Sequence, residues 1–173
     1  MSGACTTTAR DPSLWRGAIT WGVVALAAIG ACTEQEASGP PGLAAGRDAC
    51  AECGMSIVDL PFAVGALTER EGHTRHVVFD DMGCFLVWRG DLRGEAGPDD
   101  QGLRVLSVWT MTLDGNSWMP VGDATFVTNS ARRTPMDSGI AAYSSLARAR
   151  EACAGEVEHT SFDKLQIPPG MQP

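Results

Sequence analysis

The chain has no apolar run long enough to cross a bilayer. Its longest, Gly17–Gly30, is interrupted by Thr20 and several glycines and falls short of the roughly 20 residues a spanning helix needs. An uncleaved anchor helix is therefore set aside. Positive charge is also scarce: 13 Lys and Arg stand against 21 Asp and Glu, a formal charge of −8, which makes nucleic acid and anionic headgroups poor partners. Histidine is limited to His73, His76 and His159. No nucleophile, base and orienting residue group together, and no glycine loop suits a phosphate, so nothing asks for an enzyme.

The N-terminal segment has a clear use. Arg10 and Arg16 supply a weak positive region, the apolar run follows, and Ile29-Gly30-Ala31-Cys32 fits a lipoprotein cleavage box. Residues 1–31 are thus expected to leave as a signal peptide, with Cys32 as the lipidated first residue of an extracytoplasmic protein, periplasmic where an outer membrane exists. Removing Arg10, Arg16 and Asp11 leaves 11 basic and 20 acidic residues, a charge of −9, so membrane association must come from the lipid. Residues 32–47 are rich in Gly, Pro, Ala, Ser and Glu, which predicts a flexible tether, with the folded part starting near Asp48.

Element signals beyond Asp48 come in an order that repeats. Pro61–Thr68 reads as a strand, Glu69–Thr74 as a hairpin turn containing Gly72, and Arg75–Phe79 as a second strand. Asp80 suits a helix N-cap, and Met82, Phe85, Leu86 and Arg89 recur at helical spacing until Gly90. Asp80 and Asp81 are assigned to capping. A Gly, Pro and Asp rich loop, Asp91–Gly102, leads to a strand over Leu103–Met111. The second round reads as strands at Ala124–Thr128 and Gly139–Tyr143, a helix with Ala142, Leu146, Ala149 and Cys153 on one face, a strand at Glu156–His159 and a short helix at Phe162–Leu165. This predicts an α+β protein of two related ββαβ halves, 48–115 and 116–167, with 168–173 a loose tail.

The richest chemistry lies in Cys50-Ala-Glu-Cys53-Gly-Met55. Thiolate and thioether are soft donors that suit Cu(I) far better than Mg, Ca or Mn, while zinc accepts the cysteines but has no use for the methionine. Gly54 permits a turn conformation denied to other residues, which lets both sulfurs reach one ion. The same CxxC pair also reads as a permanent disulfide in a structural lipoprotein, or as the redox pair of a thiol oxidoreductase. Cys84, one turn into a helix, reads as a small buried hydrophobe before a ligand, and Cys153 as core or as a partner bridged to Cys84.

Four segments together resemble the NosL family, lipoproteins accessory to nitrous oxide reductase: CAECGM at 50–55, PFAVGAL at 61–67, FDDMGC at 79–84 and TPMDSGIAAY at 134–143. The resemblance runs from about Asp48 to Leu165. It implies a periplasmic Cu(I)-binding chaperone, with nitrous oxide reductase assembly proteins as partners, and an architecture similar to that of alkylmercury lyase. In the family copper is held by cysteine and methionine; its CGM motif carries over onto Cys53, Gly54 and Met55, and its later motif onto Pro135, Met136, Ser138, Gly139, Ile140 and Ala141. Cys50, Cys53, Met55 and Met136 are thus the expected ligands, Met136 because its loop has few apolar neighbours to pack against. His76, in the strand leading to Phe79-Asp80-Asp81, and Met119 are accessory candidates, Met119 being weighed toward core packing.

Overall fold

The structure, a computed structural model, describes residues 38–92, 102–128 and 132–171. The expected signal peptide, the lipidated Cys32 and most of the Asp91–Gly102 loop lie outside the described residues. Among the described residues no helix is long and apolar enough to cross a membrane.

The fold is α+β. Strands β1 (Val64–Arg70), β2 (His73–Phe79), β3 (Leu103–Met111) and β4 (Trp118–Pro120) form an antiparallel sheet in the order β2-β1-β3-β4. A second sheet, in the order β6-β5-β7, holds β5 (Thr125–Val127), β6 (Ala141–Tyr143) and β7 (His159–Thr160). Helix α1 (Met82–Leu92) follows β2, and α2 (Leu146–Ala152) follows β6. In each round the first strand is therefore central, flanked by the second and by the strand after the helix.

Local chemistry accounts for the hairpin. Glu71 and Gly72 both take positive φ, 54° and 83°, the requirement of a two-residue turn that matches strand twist. It sets β1 against β2 with Val64 opposite Phe79 and Ala66 opposite Val77, and Val64, Ala66 and Phe79 enter the main core. That core is shared by both rounds, since Phe85 of α1 lies with Phe126 of β5, Ile140 and Leu165. Phe162 joins them, its ring 5.9 Å from Phe85 and 6.2 Å from Phe126. The Arg89 guanidinium covers its face at 4.9 Å, a cation–π contact that closes the cluster toward solvent.

Several boundaries differ from expectation. Pro61 to Ala63 belong to a 3-10 turn and its cap instead of the strand. The expected tether is docked from Pro41, which is buried; a Cβ on Gly65 would overlap its ring, so β1 has no side chain there to keep the segment away. Trp118–Pro120 pairs with β3, Thr110 facing Met119, so the first sheet extends past 115 into what was assigned to the second half. The expected tail forms a 3-10 turn at Pro169–Met171, with Met171 packed on the main core over Gly83. Helix α1 also runs through Gly90, whose missing side chain makes room for Ile167; there the glycine serves packing and does not end the helix.

The two rounds are also joined by a charge. Asp114, in the β3–β4 turn, accepts hydrogen bonds from the Ser144 amide at 2.9 Å and from the Ser144 hydroxyl, with Arg148 Nε 3.6 Å away. Burial raises the Asp114 carboxyl, but these donors outweigh it and hold it below its ordinary 3.8. A depressed carboxylate stabilises the fold above its unfolded pKa, and that contribution is lost as pH falls through the folded value. Ser144→Ala should cost about 1–2 kcal/mol at neutral pH, with the gap to the parent narrowing below about pH 4. Urea unfolding across that range checks it; a pH-independent gap would refute the assignment.

Candidate metal centre

The Cys50–Met55 loop is closed by its own backbone. Gly54 donates its amide to the Cys50 carbonyl at 2.9 Å, and Cys50 donates to Met55 at 2.8 Å. Gly54 takes φ of 75°, the left-handed conformation expected of it. The loop is then stitched to the sheet, since Ala51 donates to the carbonyl of Val78 on β2 at 2.8 Å. Two residues beyond Val78 lies Asp80, and α1 begins at Met82. One hydrogen bond thus brings the CxxC loop to the strand end and to the first turn of the helix.

Four side chains converge there. The sulfurs of Cys50, Cys53 and Cys84 and a carboxylate oxygen of Asp80 all lie within 4.8 Å of one another. Cys50 is 2% exposed, Cys84 1% and Asp80 3%, while Cys53 is half-buried. Cys53 Sγ donates to Asp80 Oδ2 at 3.7 Å, and among the described residues Asp80 Oδ1 has no hydrogen-bond partner. The Cys84 thiol, hydrogen-bonded to Cys50, lowers Cys50 from 9.0 to about 7 against the opposing effect of burial. The same bond and burial push Cys84 far up. Burial raises the Cys53 thiol.

The helix cap is one residue later than expected. Asp81 Oδ1 accepts the Cys84 amide at 3.0 Å, the capping bond that orients the first turn. Asp80 is thereby freed to face the sulfurs. Asp81 Oδ2 accepts the Met136 amide at 3.1 Å, which fixes the Arg132–Gly139 loop beside the cluster. A cleft of about 510 Å³ opens between them, with Asp80, Met55, Val58, Arg133, Thr134 and Pro135 among its lining residues. Met55 is 49% exposed on its rim.

Of the expected ligands, Cys50 and Cys53 lie in the cluster, Met55 lines the adjoining cleft, and Met136 is held at its backbone with its side chain packed on the main core. His76 and Met119 lie elsewhere. His76 Nε2 bonds the Gly39 carbonyl at 2.8 Å and its ring meets Trp109 edge-on, while Met119 packs against the core from β4. Cys84 and Asp80 were missed. FDDMGC holds both within five residues, but capping and core packing explained them. No Cys84–Cys153 bridge forms: both are free, and exposed Cys153 lies 3.8 Å from the Tyr143 hydroxyl.

An α+β fold that gathers three thiols and a carboxylate at one strand end defines a protein with a soft-donor centre beside an open cleft. Its relatives are specific: the NosL family model matches residues 43–160, and the chain belongs to that family. The fold is similar to that of the copper chaperone NosL from Shewanella denitrificans, in its crystal structure. That likeness has 18% identity and a TM-score of 0.51, and covers 75% of this chain and 98% of that one. No curated protein shows a match to the chain.

Proposed function

We propose that the chain is an extracytoplasmic, lipid-anchored copper chaperone that carries Cu(I) toward the copper centres of nitrous oxide reductase. The observation that carries this reading is the convergence of the Cys50, Cys53 and Cys84 sulfurs within 4.8 Å beside a cleft with an exposed thioether on its rim. Membership of the NosL family supports it, as does the name of the solved structure that shares the fold.

The chemistry follows from the donors. Thiolates hold Cu(I) strongly, and a thioether binds it without any proton to lose, so it favours the reduced ion at every relevant pH. Buried Cys50 and Cys84 form the deep side of the site, half-buried Cys53 its mouth, and Met55 and Met136 the entry. Incoming donors of a partner displace the outer ligands first, which permits transfer by ligand exchange without free ion. Cys32 carries the lipid that keeps the chain at the membrane. The shared strand order of the two sheets supports two related ββαβ halves, and a lyase-like architecture would not by itself bring lyase chemistry.

A thiol oxidoreductase needs an accessible thiol of lowered pKa. Here the lowered thiol is Cys50, which is buried, and the more accessible Cys53 is raised. That arrangement favours holding an ion over attacking a disulfide.

The test is Cu(I) added to the reduced full-length protein against a competing chelator. One ion should bind more tightly than micromolar, and Cys53→Ser combined with Met55→Ala should weaken it at least about tenfold, a loss of about 1.4 kcal/mol. Binding weaker than micromolar, or unchanged in the double variant, would sink the proposal. For the recipient, a strain lacking the chain should make nitrous oxide reductase deficient in copper; fully loaded enzyme would assign the copper elsewhere.

A further inference from the structure

Strand register sets the outer face of the first sheet. Val78 and His76 of β2 stand opposite Gly65 and Leu67 of β1, and Gly65 stands opposite Trp109 of β3. Opposed side chains share a face, and the ring contact of His76 with Trp109 lies on this one, while Val64, Ala66 and Phe79 point the other way into the core. Trp118 reaches the outer face too, its ring 3.4 Å from where a Gly65 Cβ would lie. Both tryptophans are only half-buried. In a chain of 21 acidic residues, the four strands carry a single carboxylate, Glu69, which is paired with Arg104 at 3.2 Å. The segment that follows Cys32 in sequence arrives on the same face: the Gly39 carbonyl is held by His76 Nε2 at 2.8 Å, and Pro41 is buried over Gly65.

We propose that this face is a membrane contact, with Trp109 and Trp118 seated in the headgroup layer of the bilayer that holds the anchor. The docked segment selects a lipid surface as the occupant, because a lipid carried on that segment turns this face toward the bilayer. Tryptophan suits the place: its ring is apolar with one polar N–H, and it concentrates at membrane–water interfaces. Charge points the same way. The acidic remainder of the chain is repelled by anionic headgroups, whereas a face whose one strand carboxylate is neutralised by Arg104 meets little of that repulsion. An aromatic face beside an acyl anchor adds a second point of attachment, which holds the domain in one orientation instead of leaving it to swing on its tether. This contact goes beyond the chaperone reading and rests on its lipid anchor alone, not on the metal.

The experiment places the mature lipidated chain in phosphatidylcholine vesicles, with and without acyl chains brominated near the headgroup, and follows tryptophan fluorescence. Past the signal peptide the tryptophans are Trp88, Trp109 and Trp118, and Trp88 packs on Phe79 and Phe85 in the core. Bromolipid should quench the unmodified chain and Trp88→Phe, and the quenching should be lost in Trp109→Phe combined with Trp118→Phe. No quenching of the unmodified chain, or undiminished quenching of the double variant, overturns the proposal and leaves the face to a protein partner. Trp118 also packs against the main core; should the double variant not fold, Trp109→Phe alone decides, a fall in quenching supporting the contact and an unchanged value overturning it. The mass of the mature chain separates the two readings. A chain without lipid on Cys32 defeats the anchor and this contact together, whereas a lipidated chain that stays unquenched defeats this contact alone.

Discussion

Cys84→Ser is expected to lower Cu(I) affinity by about 100-fold, although the residue is 1% exposed and lies in a helix. Small zinc domains draw about 10–16 kcal/mol from four ligands, so one sulfur ligand of comparable strength contributes about 3 kcal/mol, or about 100-fold. Serine keeps the size and removes the soft donor. Cys153→Ser is the control, because that sulfur sits by Tyr143, away from the cluster. Cu(I) competition on both variants, with thermal unfolding alongside, checks the result. An effect under about threefold for Cys84→Ser would place it outside the copper site and return it to core packing.

What could be read from the sequence divides along contact range. The hairpin was legible because its turn depends on two adjacent residues, and β3 because apolar residues recur through it with polar Arg104, Ser107 and Thr110 between them. Both are local signals. The CxxC motif was equally local, as was the glycine that shapes its turn. Cys84 was not legible as a site residue, because what brings it to Cys50 is the Ala51–Val78 hydrogen bond and the start of α1, neither of which leaves a mark on Cys84 itself. An Asp-Asp pair before a helix offers two caps, and choosing Asp80 over Asp81 hid a site carboxylate behind a structural role. Pro41 and Met171 misled for a related reason. Segments poor in bulky residues look like tethers and tails, yet each packs where a glycine, Gly65 or Gly83, leaves its face open. Met136 was reached through the family resemblance, and its amide bond to Asp81 is a contact between the two rounds that no local pattern announces.

That contact makes Asp81→Ala the substitution with the largest expected cost to the fold. The carboxylate is 0% exposed and serves two donors, the Cys84 amide through Oδ1 and the Met136 amide through Oδ2. Loss of a capping side chain costs about 0.5–2 kcal/mol, and loss of a hydrogen bond to a charged acceptor about 1.5–3 kcal/mol. Removing a buried charge returns part of this, so a net loss of about 2–4 kcal/mol is expected, read by urea unfolding. Asp81→Asn keeps an oxygen for one of the two amides but turns a donor toward the other, and should cost a smaller part. Because the same carboxylate orients Cys84 and the Met136 loop, Asp81→Ala should also weaken Cu(I) binding under conditions where the variant remains folded. If Asp81→Ala left stability within about 0.5 kcal/mol of the parent, the range of an ordinary surface change, Asp81 would not be the joint between helix start and loop. The cluster would then owe its geometry to the CxxC turn and the β2 edge alone.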